Sequence, residues 1–357
     1  MMPSNSRIPE SILIVRLGAM GDVLHAMTAA AALRHAIPGV RIGWALERRW
    51  MELLRVPDGG EATVTGCRLV DAIHLVDTRA WRKHLLRSST IAEMRGAVTA
   101  IRAERYDIAI DVQGAIKSAL IARLSGAPTV YGFAKPRERM ATVVYSQKIG
   151  VRAAHVIDQN LELLSAVASQ SLSGTEFQLP VSPEAERWCE KTLDELGNRK
   201  FAVLNPGSGW DAKCWPAERF GEVARHLMES GIASVVNYGP GERELANSVT
   251  AASGGAARPV FCSLTELVAL TRRAALFIGG DTGPLHLAAA LKVPVVALFG
   301  PTDPARNGPY GTASMVLRSA RSVTSYSHVA EADPGLQSIT VDEVLRAAAQ
   351  VTGASIG

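Results

Sequence analysis

ALFIGGDTGPLHLAAALKVPVVALFGPTDP, residues 275–304, decides how this chain folds. The apolar run 276–278 predicts a buried strand, 286–291 a helix and 293–299 a second strand, with glycine turns at 279–283 and 300–304. In a parallel sheet both turns emerge at the carboxyl edge, where open α/β sheets bind ligands. Glycine lets the backbone approach an anion closely, and a helix opening after Asp281 offers it the partial positive charge of its amino end. A phosphate suits that place. Asp281 or Thr282 acting only as a helix cap accounts for the same residues, so the rest of the chain has to decide.

The chain has 357 residues, of which 47% are hydrophobic, 20% charged and 31 glycine. That is enough for two cores, in a globular rather than a disordered or fibrous protein. The net charge is +4, unevenly spread. Arg79, Arg82, Lys83, Arg87, Arg95, Arg102 and Arg105 face only Glu93 and Glu104. Such a segment suits an acidic substrate or an anionic membrane better than nucleic acid, which calls for aromatic stacking residues alongside. A solvated helix face accounts for most of these residues equally well. Cys67, Cys189, Cys214 and Cys262 show no CxxC or Cys/His pairing, so neither a zinc site nor a disulfide framework is expected. MMPSNSRIPE lacks the charged and apolar regions of a leader, and no run approaches eighteen apolar residues. The expected location is cytoplasmic, with membrane contact at most peripheral.

Upstream, SILIVR (11–16) predicts another buried parallel strand, broken by LGAMGD (17–22), with helical spacing over 23–37. The turn matches neither GxGxxG nor a P-loop. Asp22 fits a helix cap there, and it also stands where a catalytic base would be placed. Strands are predicted over 41–46, 72–76 and 106–112, and helices over 88–104, 115–124 and 155–167. This alternation gives a parallel sheet with right-handed crossovers. Residues 132–154, rich in Lys135, Arg137, Arg139, Lys148 and Arg152, read as a long irregular loop. The Ser/Pro-rich stretch 169–183 is the linker, giving domains 1–170 and 171–357. The second half repeats the pattern, with strands over 201–204 and 233–238 and helices over 183–196, 217–228, 242–252 and 263–273. A cleft between the halves is the default site. A last helix is predicted over 341–351.

Four second-half turns, 205–213, 239–242, 279–283 and 300–303, come to one sheet edge. Lys213 offers a point charge for a diphosphate, and Glu242 an acceptor for ribose hydroxyls. Surface exposure for the lysine and helix-dipole placement for the glutamate are the bland alternatives. Taken together, the turns favour a nucleotide-type ligand.

The segments Arg16-Leu17-Gly18-Ala19-Met20-Gly21-Asp22-Val23-Leu24-His25, Asp111-Val112-Gln113-Gly114 with Lys117-Ser118, and Asn205-Pro206-Gly207-Ser208 with Lys213-Cys214-Trp215-Pro216 belong together. With Asp281-Thr282-Gly283-Pro284-Leu285-His286 and Gly300-Pro301-Thr302-Asp303-Pro304, the chain resembles the lipopolysaccharide heptosyltransferases of glycosyltransferase family 9. Trp81-Arg82-Lys83 and His155 look more like heptosyltransferase I than II. The resemblance implies a GT-B fold of two Rossmann-like domains, without metal or cofactor, the first binding the acceptor and the second ADP-heptose, and it makes the helix 341–351 a candidate to pack back on the first domain. It implies Asp22 as the general base on the acceptor hydroxyl of Kdo on lipid A, at the inner face of the inner membrane. It also implies Lys213 and Ser208 on the departing diphosphate, Asp281, Thr282, Gly283 and His286 lining the donor pocket, and Glu242 at the ribose. Arg16, Gln113, Lys117, Arg82 and Lys83 would meet the acceptor.

An inverting displacement needs such a base on one side and charge stabilisation on the leaving-group side. Base and lysine come from different halves, so domain closure would assemble them. Arg16 stands where heptosyltransferase I commonly has Lys, Gly18-Ala19 replaces a more serine-rich turn, and Asn205-Pro206-Gly207 fits the broader family. The sugar and the acceptor therefore stay open. A sugar-nucleotide epimerase would not need the basic segments 79–105 and 135–152, and a non-catalytic nucleotide-binding protein would not need Asp22 and Lys213.

Overall fold

Two units make up the computed structural model, Met1–Pro180 and Val181–Gly357, which describes residues 9–84, 87–197, 199–325 and 333–353. The division lies inside the Ser/Pro-rich stretch, past the expected point at 170.

In the first unit the chain runs β1 (Ser11–Val15), α1 (Met20–Ala36), β2 (Arg41–Leu46), a 3-10 turn (Arg48–Leu53), β3 (Thr63–Val64), β4 (Cys67–Arg68) and β5 (Ala72–Leu75). It continues through α2 (Thr78–Lys83), α3 (Ser88–Ala103), β6 (Ile108–Asp111), α4 (Ile116–Leu124), β7 (Thr129–Phe133), a 3-10 turn (Arg139–Val143), β8 (Gln147–Ile149) and α5 (Val156–Ala168). Among the described residues the main sheet has the order β5-β2-β1-β6-β7-β8 and is parallel throughout. β3 and β4 form a separate antiparallel ladder. Every residue of β1 is buried, as expected of a central strand covered on both faces.

Two expectations are corrected here. Helix α1 starts at Met20, before the expected start at 23, so Asp22 lies in its first turn rather than at the N-cap, which is Ala19. Residues 132–154 are not one irregular loop: they carry the end of β7, a 3-10 turn and the edge strand β8. Gln147 and Lys148 are exposed on that edge, so no apolar run announces the strand.

The second unit runs α6 (Pro183–Glu195), β9 (Phe201–Asn205), a 3-10 turn (Asp211–Lys213), α7 (Ala217–Glu229), β10 (Ala233–Tyr238), α8 (Arg243–Ala252) and β11 (Ala257–Phe261). Then come α9 (Leu264–Arg273), β12 (Leu276–Gly280), α10 (Gly283–Ala290), β13 (Val295–Phe299), α11 (Pro304–Asn307), β14 (Ser314–Arg318), α12 (Pro334–Ser338) and α13 (Val341–Thr352). Its sheet, of order β11-β10-β9-β12-β13-β14, is again parallel. The last helix packs within its own unit. Val344, Leu345, Ala347 and Ala348 of α13 are buried in the second unit's own core with Leu227 and Val236. The Trp215 indole N–H donates to the Ile339 carbonyl at 3.1 Å, fastening the segment before α13 to the start of α7.

In each sheet the strand order reverses at one place, between β1 and β6 in the first and between β9 and β12 in the second. Ligands of open α/β sheets settle at the carboxyl ends of the strands at such a reversal. The turns 16–22 and 112–118 flank it in the first unit, and 205–213 and 280–283 in the second.

Candidate functional site

At the first reversal, Arg16 ties the two turns together. Its Nη1 donates to the Val112 carbonyl at 2.8 Å, and its Nη2 lies 2.5 Å from Asp22 Oδ2. The Ala19 amide also donates to Asp22 Oδ2, at 3.1 Å. Both contacts fall on one carboxylate oxygen, so Oδ1 is the atom they leave for another proton donor. The Asp22 side chain is 37% exposed and that of Arg16 only 10%. Gln113 Oε1 accepts from the Leu17 amide at 2.9 Å, a second tie between the turns. Gly18 is required by close approach: a Cβ there would lie 2.7 Å from the Trp50 indole nitrogen.

Beneath these turns stands Asp111, fully buried at the end of β6. Its carboxylate accepts from the Tyr145 hydroxyl (2.6 Å), the Gln113 and Gly114 amides (2.9 and 3.1 Å) and the Ser118 hydroxyl (3.0 Å). Burial pushes its carboxyl above the usual range, and those four donors pull the other way. The same burial, with Asp111 beside it, raises the Tyr145 phenol. Lys117 lies further out, donating to Thr78 Oγ1 at 3.2 Å and 3.6 Å from the buried Glu47 carboxylate. Lys83 lines a pocket of about 320 Å³ with Glu47, Arg49, Asp77 and Arg79. Arg82 is exposed at the end of α2. Neither Arg82 nor Lys83 makes a described contact with the Arg16–Asp22 pair.

The second reversal holds a tighter cluster. Lys213 Nζ donates to Asp281 Oδ2 at 2.8 Å and to the Asp281 carbonyl at 3.1 Å. The His286 ring Nε2 sits 3.2 Å from Asp281 Oδ1. Burial alone would raise the Asp281 carboxyl, but the His286 hydrogen bond, with the charges of His286 and Lys213, outweighs it and holds the group far below the ordinary range. Lys213 also lies 5.5 Å from the Trp210 ring centroid. It is 17% exposed: an anchored cation, because the end of β12 sets a carboxylate beside it.

Around the cluster, Thr282 precedes α10 and Gly283 opens it. Asn205 Nδ2 donates to the Gly207 carbonyl at 3.0 Å and reaches Thr282 Oγ1 at 3.5 Å. Asn237 Nδ2 donates to Asn205 Oδ1 at 2.7 Å, and the Cys262 thiol to Asn237 Oδ1 at 3.3 Å. Burial pushes that thiol up to about 12, which keeps its proton for this bond. Glu242 Oε2 accepts from the Gly239 amide at 2.7 Å, and the carboxylate packs on Gly207, where a Cβ would come within 2.4 Å of it. Ser208 Oγ accepts from the Trp210 amide at 3.3 Å.

Sequence reasoning did not assign Glu47, Asp111, Tyr145, Asn205 or Asn237 to the site. Asp111 carried a readable signal, since a carboxylate closing the apolar run YDIAID must find partners. Tyr145 and Asn237 carried none.

A family model described as glycosyltransferase family 9 (heptosyltransferase) matches residues 94–332. Lipopolysaccharide heptosyltransferase 1 of Escherichia coli strain K12 is 31% identical over 316 residues, which is 87% of this chain and 94% of that protein. Among solved structures, E. coli heptosyltransferase WaaC with ADP aligns with a TM-score of 0.76 and 27% identity, over 96% of this chain and 99% of that one. The structure of E. coli heptosyltransferase WaaC with ADP-2-deoxy-2-fluoro heptose gives a TM-score of 0.73 at 27% identity, over 94% and 98%.

Proposed function

This chain belongs to glycosyltransferase family 9, the heptosyltransferases, as a glycosyltransferase of GT-B fold, and we propose that it moves heptose from ADP-heptose to a Kdo residue of the lipopolysaccharide inner core with inversion. The observation that carries the donor half is the Lys213–Asp281–His286 cluster at the reversal of the second sheet. An ammonium has three donors, and two of Lys213's go to Asp281. The third is available to a diphosphate oxygen, with the amino end of α10 adding its dipole. Glu242, anchored through Oε2, keeps Oε1 for the ribose. Support for ADP-heptose comes from the relative bound to ADP-2-deoxy-2-fluoro heptose.

The acceptor half rests on Asp22. With Oδ2 occupied by Arg16 and Ala19, Oδ1 takes the proton as the acceptor oxygen forms its bond to the anomeric carbon. The bond from that carbon to the diphosphate breaks on the opposite face, and the charge that develops on ADP is met by Lys213. Arg16 and Gln113 then serve by fixing the Asp22 turn rather than by touching the acceptor, while Lys117, Lys83 and Arg82 supply positive charge toward an anionic glycan.

The test is release of ADP from ADP-heptose with and without a Kdo-bearing lipid A acceptor, the product read by mass and by the anomeric coupling of the new sugar. Acceptor-dependent release with one heptose added and the anomeric configuration inverted supports the assignment. Release indifferent to acceptor, or transfer confined to another sugar nucleotide, overturns it.

A further inference from the structure

The two ends of Lys213 are held by different parts of the chain. Asp281 takes the tip of its side chain, through Oδ2 and through its own carbonyl. The backbone beside it is held by residues 333–339, which include α12. Gln337 Nε2 donates to the Cys214 carbonyl at 3.1 Å, across 123 residues of sequence. Two side chains reach back to the same segment: the Trp215 indole N–H donates to the Ile339 carbonyl, and Arg219 Nη1 to the Gln337 and Ile339 carbonyls at 2.5 and 2.7 Å. Gly300, which follows β13, leaves no slack there. A Cβ on it would lie 3.2 Å from Asp333 Cβ and Leu336 Cβ, and 3.4 Å from the Ala212 carbonyl oxygen.

These bonds differ in what they hold. Those from Trp215 and Arg219 end on backbone carbonyls, and Trp215 is itself part of the second unit's core, so they fasten the segment whatever side chain stands at 337. The Gln337 amide runs the other way, from the segment to the turn, and its residue is half-buried rather than a core member. The Cys214 amide closes the 3-10 turn by donating to the Asp211 carbonyl at 2.9 Å. Cys214 then leaves the turn extended, with φ −91° and ψ 121°, and its carbonyl meets Gln337. An ammonium on a flexible four-carbon stem aims its third N–H where tip and root together direct it. Asp281 fixes the tip alone. A root free to shift would carry that N–H with it, and a misplacement on the order of 1 Å is enough to cost rate at a charge-stabilising contact.

We infer that Gln337 is a positioning residue for Lys213, setting the backbone from which the ammonium meets the leaving diphosphate. The identity of that anion rests on the function proposed above, so the contact is also tested with ADP alone. Gln337→Met keeps the length of the side chain and loses the donor. Wild type, Gln337→Met, Lys213→Ala and the double variant Lys213→Ala/Gln337→Met are compared in turnover and KM with ADP-heptose and acceptor, and in ADP affinity by titration calorimetry. Far-UV circular dichroism and a single cooperative melting transition verify that each folds. Gln337→Met is expected to lose about fivefold in turnover and about fivefold in ADP affinity, the loss of one hydrogen bond, with KM for ADP-heptose little changed. On Lys213→Ala the same substitution should cost nothing further, the mark of two residues acting through one group. Gln337→Met matching wild type in both readings, or repeating its loss on Lys213→Ala, would overturn the inference. A lower melting temperature with turnover and ADP affinity unchanged would overturn it too, giving Gln337 to the fold alone. If wild type binds ADP but transfers no heptose, the proposed function fails, and the ADP titrations of the same four proteins still decide the role of Gln337.

Discussion

Lys213 and Asp281, 68 residues apart in sequence, meet with Nζ 2.8 Å from Oδ2 at the carboxyl edge of the second sheet. The carboxylate is 6% exposed and touches His286 on its other oxygen. The cation assigned to the leaving diphosphate is thus held in place before any ligand arrives, so its orientation need not be bought from binding energy.

Lys213→Ala removes the cation and leaves Asp281 half-partnered in a buried place. Turnover should fall about 10²–10³-fold, as when one preorganised donor to a developing anion is lost. Stability should drop by about 3 kcal/mol, the lower end for breaking a buried pair. Steady-state kinetics and thermal unfolding measure the two effects separately. A variant with normal turnover would show that another group carries the diphosphate.

Asp281 also sets an acid limit. Its folded pKa lies far below the ordinary carboxylate range, so on acidification the unfolded chain takes up the proton first. The stabilisation is complete well above pH 4 and drains away as pH falls through that value toward the folded pKa. Denaturant midpoints measured between pH 6 and pH 3 should decline, and Asp281→Asn should flatten the part of the decline below about pH 4.5. Parallel curves for the two proteins would contradict the assignment.

Gly207 lies against Glu242, and a Cβ there would sit 2.4 Å from the carboxylate. Because the obstructing group is the end of a flexible side chain, Gly207→Ala should fold normally and shift the carboxylate. The expected outcome is about a tenfold higher KM for ADP-heptose, worth ~1.4 kcal/mol, with turnover little changed. Titration calorimetry with ADP should show the same loss.

The central strands were legible because they are continuous apolar runs covered on both faces: Arg41–Leu46 and Ala233–Tyr238 have the bounds their sequences suggest. The sheet edges were not. Arg258 and Pro259 interrupt β11, and Gln147 and Lys148 dominate β8, because an edge strand tolerates polar residues and a missing amide donor. At the site, the residue types at the turns could be read from the glycines around them. The pairings could not: Arg16 with Asp22 depends on how one turn curls, and Tyr145 with Asp111 on how the connection between the 3-10 turn Arg139–Val143 and β8 folds back to the end of β6. Arg16 and Gln113, expected at the acceptor, also engage the chain's own backbone, and Arg16 engages Asp22.

Gln113→Ala deprives the Leu17 amide of its acceptor and should loosen the turn that carries Asp22. Turnover is expected to fall about fivefold while donor KM holds, since the loss of one hydrogen bond is worth ~1 kcal/mol. Gln113→Glu, which keeps an oxygen at the same reach, should recover most of that loss. Equal defects in both variants would assign Gln113 to the acceptor itself.

The central claim is that Asp22 takes the acceptor's proton. Asp22→Asn keeps the shape and the tie to Ala19 but cannot act as the base. Acceptor-dependent ADP release is the measurement, with ADP binding followed in parallel. The account predicts release reduced about 10²–10⁴-fold with ADP affinity unchanged. Asp22→Asn releasing ADP at the wild-type rate, in an acceptor-dependent way, would contradict it.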